Sequence, residues 1–214
     1  MRRLSRFIDG LREGVILMNE KSGQRDWSHL LGIIDVEAGS LSTSSKELLG
    51  KGRELADQLG VWLMAYSATP LSDQEGEIIS YGADVVLTTS LPPAAEDGVL
   101  SSRFLMIQAA SLSKVIDQER PEIVLFTSSP LMIAVAARVA QHFKTGLATD
   151  CTSLTLDLAE RKLIATRPLY EGKLSEEYHW PIKRPQMAAL RAGIYQEAFP
   201  DRYREGQIKK MESS

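Results

Sequence analysis

One cysteine, Cys151, stands in 214 residues. A lone cysteine excludes an internal disulfide and suits a reducing compartment. It follows Asp150 and has no neighbouring cation in sequence to stabilise a thiolate, so an inert buried thiol is expected. The three histidines, His29, His142 and His179, are far apart and show no metal-ligand spacing. The three tryptophans are scattered, and the net charge is −3. Both features exclude the concentrated basic face of a nucleic-acid-binding protein. No stretch approaches the roughly 20 consecutive apolar residues that cross a bilayer. There is no Gly-x-Gly-x-x-Gly after a strand and no phosphate-binding Gly-Lys-Ser/Thr loop. Gly50-Lys51-Gly52 falls inside a helical pattern and reads as a packing site. Arg2, Arg3 and Arg6 superficially resemble a targeting segment. Asp9, Arg12 and Glu13 interrupt the apolar run behind them, and residues 15–18 are too short for a signal core. The expected location is the cytoplasm.

What is present is ordinary globular material: 43% hydrophobic and 25% charged residues. The chain is long enough for one domain with a full core and some decoration. Three units are expected: an amphipathic helix and linker over 1–26, an α/β domain over 27–195, and a polar tail over 196–214. In the first, Leu4, Phe7, Ile8, Leu11 and Val15 share one helical face. That face packs either on its own domain or on a partner.

Strands and helices alternate through the middle. A strand over 29–36 ends at Asp35. The next helix is capped by Thr43, Ser44 or Ser45, with Glu47 in its first turn and Leu48, Leu49, Leu55 and Leu59 inward. Gly50 and Gly52 within it imply close contact with a neighbour. Further strands are expected over 61–66, 85–87 and 123–126. Helices are expected over 72–80, 103–119 and 131–143, and a surface loop over 91–98. Ser128 or Ser129 can cap the last helix, Pro130 fits its first turn, and Lys144-Thr145-Gly146 stops it. This order predicts βαβ units and a parallel sheet with helices on both faces. After Gly146 the connections shorten, so antiparallel strands are expected in the C-terminal third.

Several pieces in this order carry a resemblance. They are Lys46-Glu47-Leu48-Leu49-Gly50-Lys51-Gly52-Arg53-Glu54-Leu55-Ala56, Tyr81-Gly82-Ala83-Asp84, Ala136-Ala137-Arg138-Val139-Ala140, Thr145-Gly146-Leu147-Ala148-Thr149-Asp150-Cys151-Thr152, Arg167-Pro168-Leu169-Tyr170-Glu171-Gly172 and Pro185-Gln186-Met187-Ala188-Ala189-Leu190-Arg191-Ala192-Gly193. Residues 27–195 resemble the N-terminal domain of electron transfer flavoprotein alpha subunits. The resemblance implies a Rossmann-like fold of the adenine nucleotide alpha hydrolase type. It also implies a scaffold domain that pairs with a beta-type subunit, and FAD held by a separate C-terminal domain. That domain's motif is not found here: Gln141-His142 lies in a first-domain helix without a preceding glycine run. A separate chain would carry the FAD domain, or the sequence is a truncated or divergent relative. The family's usual Gly-Asn after Arg-Pro-x-Tyr is Gly172-Lys173 here, and the following segment is unusually charged.

Two sets of candidate residues follow. Asp150, Arg167, Tyr170, Gly172 and Lys173 are the candidate partner interface. Asp35, Ser67, Ser128 and Arg167 are the candidates for contact with a cofactor. FAD is expected in an assembled complex rather than on this chain alone, AMP in the partner subunit, and a dehydrogenase as redox partner. The chain itself is expected to be non-catalytic. A second reading is a stand-alone adenine-nucleotide-binding protein holding AMP or ATP near Asp35, Ser67 and Ser128. A third is a small hydrolase using Ser128 or Ser129, although the flanking glycines of a nucleophile elbow are missing.

Overall fold

The computed structural model describes residues 26–37, 40–67, 71, 74–89 and 102–211. The helix expected over 4–18 and the loop over 91–98 lie outside the described residues. Twelve strands and four helices follow one another among those described. They are β1 (Leu30–Ile34), β2 (Val36–Glu37), β3 (Ser40–Leu41), α1 (Thr43–Leu59), β4 (Leu63–Ser67), α2 (Glu75–Ser80), β5 (Val85–Thr89), α3 (Ser102–Glu119), β6 (Ile123–Thr127), α4 (Pro130–Phe143), β7 (Leu147–Cys151), β8 (Ser153–Asp157), β9 (Lys162–Leu169), β10 (Leu174–His179), β11 (Gln186–Leu190) and β12 (Gln207–Met211).

Seven strands form one parallel sheet in the order β12-β5-β4-β1-β6-β11-β7. The central strands are apolar on both faces, as a sheet covered on both sides requires. Leu30 and Ile34 of β1 and Ile123 and Leu125 of β6 join a core with Leu48, Leu49 and Leu55 of α1 and Ile78 of α2. Their alternates, Leu31, Ile33, Val124 and Phe126, join a second core with Leu112 and Ile116 of α3 and Val135 and Val139 of α4. Gly32 sits in mid-strand because a Cβ there would stand 2.6 Å from Leu48 Cδ2. Its bareness lets α1 lie close on the sheet.

The antiparallel strands begin later than expected. β7 leaves α4 as a crossover and pairs parallel with β11 at the sheet edge. Only from Ser153 does the chain reverse, giving the antiparallel sheet β10-β9-β8. That sheet rests on the α1 side through Leu154, Leu163 and Ala165, and Trp180 packs in the same core. Trp180 donates its indole N–H to the Gly146 carbonyl at 2.8 Å.

Three local expectations are corrected. The N-cap of α1 is Ser42, whose Oγ accepts the Ser45 N–H at 3.2 Å. Ser45 instead exchanges bonds with the Asp35 backbone: its Oγ donates to the carbonyl at 2.9 Å and accepts the N–H at 2.8 Å. Glu47 points inward, 4% exposed, and accepts the N–H groups of Gly193 (3.0 Å) and Tyr195 (3.3 Å). Helix α4 is capped by Ser129 and Pro130 as expected, but it ends on Lys144 in the left-handed region (φ 50°) rather than on Gly146.

The segment read as a polar tail includes a strand. Residues 191–206 run as a belt from β11 across α1 and α2, and Gln207–Met211 then pairs with β5 at the far edge of the sheet. Ala198 N–H donates to the Lys46 carbonyl and Asp201 N–H to the Ser80 carbonyl. A Cβ at Gly50 would stand 2.8 Å from the Gln196 carbonyl oxygen and 3.0 Å from Ala198 N. Helix propensity alone would reward Gly50→Ala by about 1 kcal/mol. The belt reverses the sign: this substitution is expected to destabilise by about 1–3 kcal/mol through overpacking. Urea denaturation of the two proteins checks this, and a stabilised variant would show that the belt does not press on α1.

At the opposite end of the sheet, His29 stacks on Trp62 with ring centroids 5.2 Å apart. Its Nδ1 accepts the Trp62 N–H at 3.3 Å. Burial pushes the imidazole pKa below its ordinary 6.5. A group depressed on folding contributes stability above its unfolded value and loses it as pH falls through the folded one. Denaturation midpoints are therefore expected to fall as pH drops below about 6.5, and to fall less in His29→Gln. An equal slope in both proteins would remove His29 as the cause.

Candidate functional site

The sheet changes direction between β1 and β6. β4 and β5 build outward on one side of β1, and the chain then returns through α3 to place β6 on the other. In such sheets the crevice beyond the carboxyl ends of the two diverging strands is the usual place for a ligand. Asp35 lies just past β1, and residues 127–129 lie at the end of β6. Ser67, 1% exposed, closes β4 in register with Ile34. Three of the four cofactor candidates, Asp35, Ser67 and Ser128, thus gather at this end of the sheet.

Their bonding is turned inward. Thr127 Oγ1 donates to the Asp35 carboxylate at 2.5 Å, and Ser129 Oγ donates to the same oxygen at 3.2 Å. Ser128 Oγ donates to the Leu190 carbonyl. Ser129 also caps α4, accepting the Met132 N–H at 3.2 Å. An anion is favoured at a helix N-terminus, and here the chain supplies one itself. A phosphate of AMP or FAD would have to approach the Asp35 carboxylate and take hydroxyl protons already committed. The residues present do not fit such a group. The hydrolase reading has no histidine base among the described residues: His29 Nδ1 accepts the Trp62 N–H, His142 lies beside Asp117 and His179 beside Glu177.

The fourth cofactor candidate, Arg167, lies elsewhere, on β9. Its Nε donates to Glu176 at 2.8 Å, its Nη2 to the Tyr178 hydroxyl at 3.0 Å and its Nη1 to Thr149 Oγ1 at 3.4 Å. The guanidinium lies over the Tyr178 ring, 5.0 Å from its centroid. The bond to Glu176 raises its pKa above the usual arginine value. Next to Thr149, Asp150 takes a left-handed backbone (φ 61°) and forms a two-point ion pair with Arg191. That bond holds its carboxyl below the usual range. Tyr170, Gly172 and Lys173 form the turn between β9 and β10, where Tyr170 is 74% exposed. The five interface candidates therefore occupy the β9–β10 hairpin and the end of β7 beside its base.

A recess of about 540 Å³ lies between α1, the turn after α2 and the belt, away from the strand ends. Its three cations are already paired: Lys51 with Glu54, and Arg53 and Arg204 with Asp84. Asp84 and Arg204 are structural residues that sequence reasoning did not single out, and Glu47 was expected only as a first-turn helix residue. Asp84 and Glu47 lie within the family-like stretches 81–84 and 46–56, whereas Arg204 lies in none. No helix among the described residues is long and apolar enough to cross a membrane.

The order of strands and the two cores define a Rossmann-like α/β domain with an appended antiparallel sheet. The chain belongs to the electron transfer flavoprotein domain family, whose model matches residues 30–214. It is similar to the protein named electron transfer flavoprotein subunit alpha of Thermoanaerobacterium thermosaccharolyticum, 32% identical over 179 residues covering 82% of this chain and 51% of the relative. The protein of the same name from Clostridium acetobutylicum is 34% identical over 160 residues, covering 74% and 46%. Protein FixB of Bradyrhizobium diazoefficiens is 34% identical over 174 residues, covering 79% and 45%. The chain spans about half the length of the curated relatives it matches.

Cys151 is fully buried, and burial pushes its thiol pKa from 9.0 up to about 11. At pH 8 the folded chain should hold about 100-fold less thiolate than the unfolded one. Alkylation by iodoacetamide is expected only on unfolding. Rapid labelling of the native chain would contradict the buried position of β7.

Proposed function

We propose that this domain is the scaffold part of an alpha-type electron transfer flavoprotein subunit, pairing with a beta-type subunit to frame a flavin held outside residues 30–211. The observation that carries the reading is the division of labour between the two ends of the domain. At the crevice that such folds use for nucleotides, the Asp35 carboxylate takes the hydroxyl protons of Thr127 and Ser129, while the β9–β10 hairpin presents Tyr170 to solvent. The names of the similar proteins support the electron-transfer assignment.

Asp150, Arg167, Tyr170, Gly172 and Lys173 form the pairing surface in this reading. Arg167 acts through the hairpin: its bonds to Thr149, Glu176 and Tyr178 fix the angle at which the tip leaves the domain. FAD belongs to the assembled complex and AMP to the beta-type subunit, with a dehydrogenase as the electron donor or acceptor, in the cytoplasm. The flavin would supply the redox chemistry. The chain's own residues would orient and cover it without a catalytic step. The second reading, a stand-alone adenine-nucleotide-binding protein, draws on the gathering of Asp35, Ser67 and Ser128. The closed bonding of Asp35 weighs against it.

The purified chain is expected to be colourless. Mixed with a beta-type subunit it should elute as a one-to-one complex in size-exclusion chromatography. Tyr170→Ala, removing an exposed aromatic anchor, should weaken that complex about tenfold or more. Flavin absorbance at near-stoichiometric level on the chain alone, or no complex with the beta-type subunit, would overturn the proposal.

A further inference from the structure

The antiparallel sheet ends in a strand that no described element covers. β10, the six residues Leu174–His179, has β9 as its sole neighbour in the sheet. An open edge is a row of unpaired N–H and C=O groups, ready to pair with another chain. Proteins that only need to protect such an edge line it with charge. This one combines charge with apolar exposure at its entrance: Tyr170 is 74% and Leu174 58% exposed.

The turn that leads into β10 is also strained. Tyr170 and Glu171 both take left-handed backbone angles, φ 49° and 57°, before Gly172 at 84°. Neither is a residue that visits this region at low cost; each such placement costs roughly 1–2 kcal/mol. The bonds that close the turn, Gly172 N–H to the Leu169 carbonyl and Lys173 N–H to the Tyr170 carbonyl, are backbone bonds that glycines would make equally well. The non-glycine residues place an aromatic ring at the mouth of the open edge.

Charge decides what can pair there. Glu176 is held by Arg167, and Glu177 stands 62% exposed with His179 Nε2 at 3.9 Å. A second copy of this chain adding antiparallel about the strand's midpoint would set Glu176 opposite Glu177, twice. Centred on Glu177 it would set that carboxylate against itself. Like charges directly opposite are destabilising. In these two registers a second copy is disfavoured, and a strand from a different chain with a basic residue facing Glu177 is the complementary occupant.

We propose that β10 receives a strand of the beta-type subunit by edge addition, with a lysine or arginine of that strand opposite Glu177 and an apolar side chain against Tyr170 and Leu174. The inference rests on the pairing reading above and adds its mode: main-chain bonds supply affinity and Glu177 sets register.

Hydrogen exchange on the chain, free and in complex with a beta-type subunit, tests it. Amides of residues 174–179 should slow by about tenfold or more in the complex. Glu177→Lys should weaken the complex about two- to fivefold at low salt, an effect that fades near 0.5 M salt as about one Debye length shrinks below side-chain reach. A stable complex with unchanged exchange over 174–179 would overturn the edge-addition proposal while leaving the pairing reading intact. A complex indifferent to Glu177→Lys would remove the basic counterpart. Absence of any complex would sink both readings together.

Discussion

The domain depends on the carboxylate of Asp84. Its Oδ2 accepts the Leu63 N–H at 2.8 Å and the Arg53 guanidinium at 2.6 Å, and its Oδ1 accepts Arg204 at 2.6 Å. Its backbone carbonyl accepts the Gln207 N–H at 2.9 Å. One side chain thereby joins β4, α1 and the belt, and its backbone starts β12. Without it Arg53 and Arg204 would lose the carboxylate they share. Glu47 fastens the other end, holding Gly193 and Tyr195 where the belt leaves β11. Charge-assisted bonds of this kind are the stronger ones available to a folded chain. They let a stretch without regular structure cross the helical layer and return to the sheet as its seventh strand.

Closing the sheet in this way has a functional consequence. The belt and β12 occupy the α1 side and one edge, and Asp35 with Thr127 and Ser129 occupies the crevice at the strand ends. The β9–β10 hairpin stays open with Tyr170 exposed, and Phe199 and Tyr203 are exposed on the belt. A fold whose architecture commonly serves nucleotide binding has here turned its polar strand-end residues to internal bonding. Fold alone does not specify function, and the bonding of Asp35 is the observation that favours the proposed scaffold over a nucleotide carrier.

The parallel sheet was legible in the sequence because its strands are continuous apolar runs flanked by caps and stops. Residues 123–126 and the cap at Ser129-Pro130 are cases where local chemistry and tertiary structure agree. β12 was not legible: Gln207–Met211 buries only Met211, so neither alternation nor an apolar run marks it. Its position comes from backbone pairing to β5 and from the Asp84 carbonyl, a contact more than a hundred residues apart in sequence. Glu47 was placed in the first turn of α1 because acidic residues favour helix N-termini; its burial follows from the belt. The gathering of Asp35, Ser67 and Ser128 was legible from their places at strand ends. That their hydroxyl and carboxyl groups satisfy one another was not, since sequence position carries no side-chain direction. Arg167 was grouped with them only by resemblance, and it lies instead on the small sheet.

Whether this domain holds a nucleotide by itself decides between a scaffold and a nucleotide carrier. Isothermal titration of the purified chain with AMP, ADP and FAD measures that directly. With the Asp35 carboxylate bonded to Thr127 and Ser129, no saturable heat is expected for any of the three. Stoichiometric binding of AMP to the chain without a partner would contradict the scaffold account and favour a stand-alone nucleotide-binding protein.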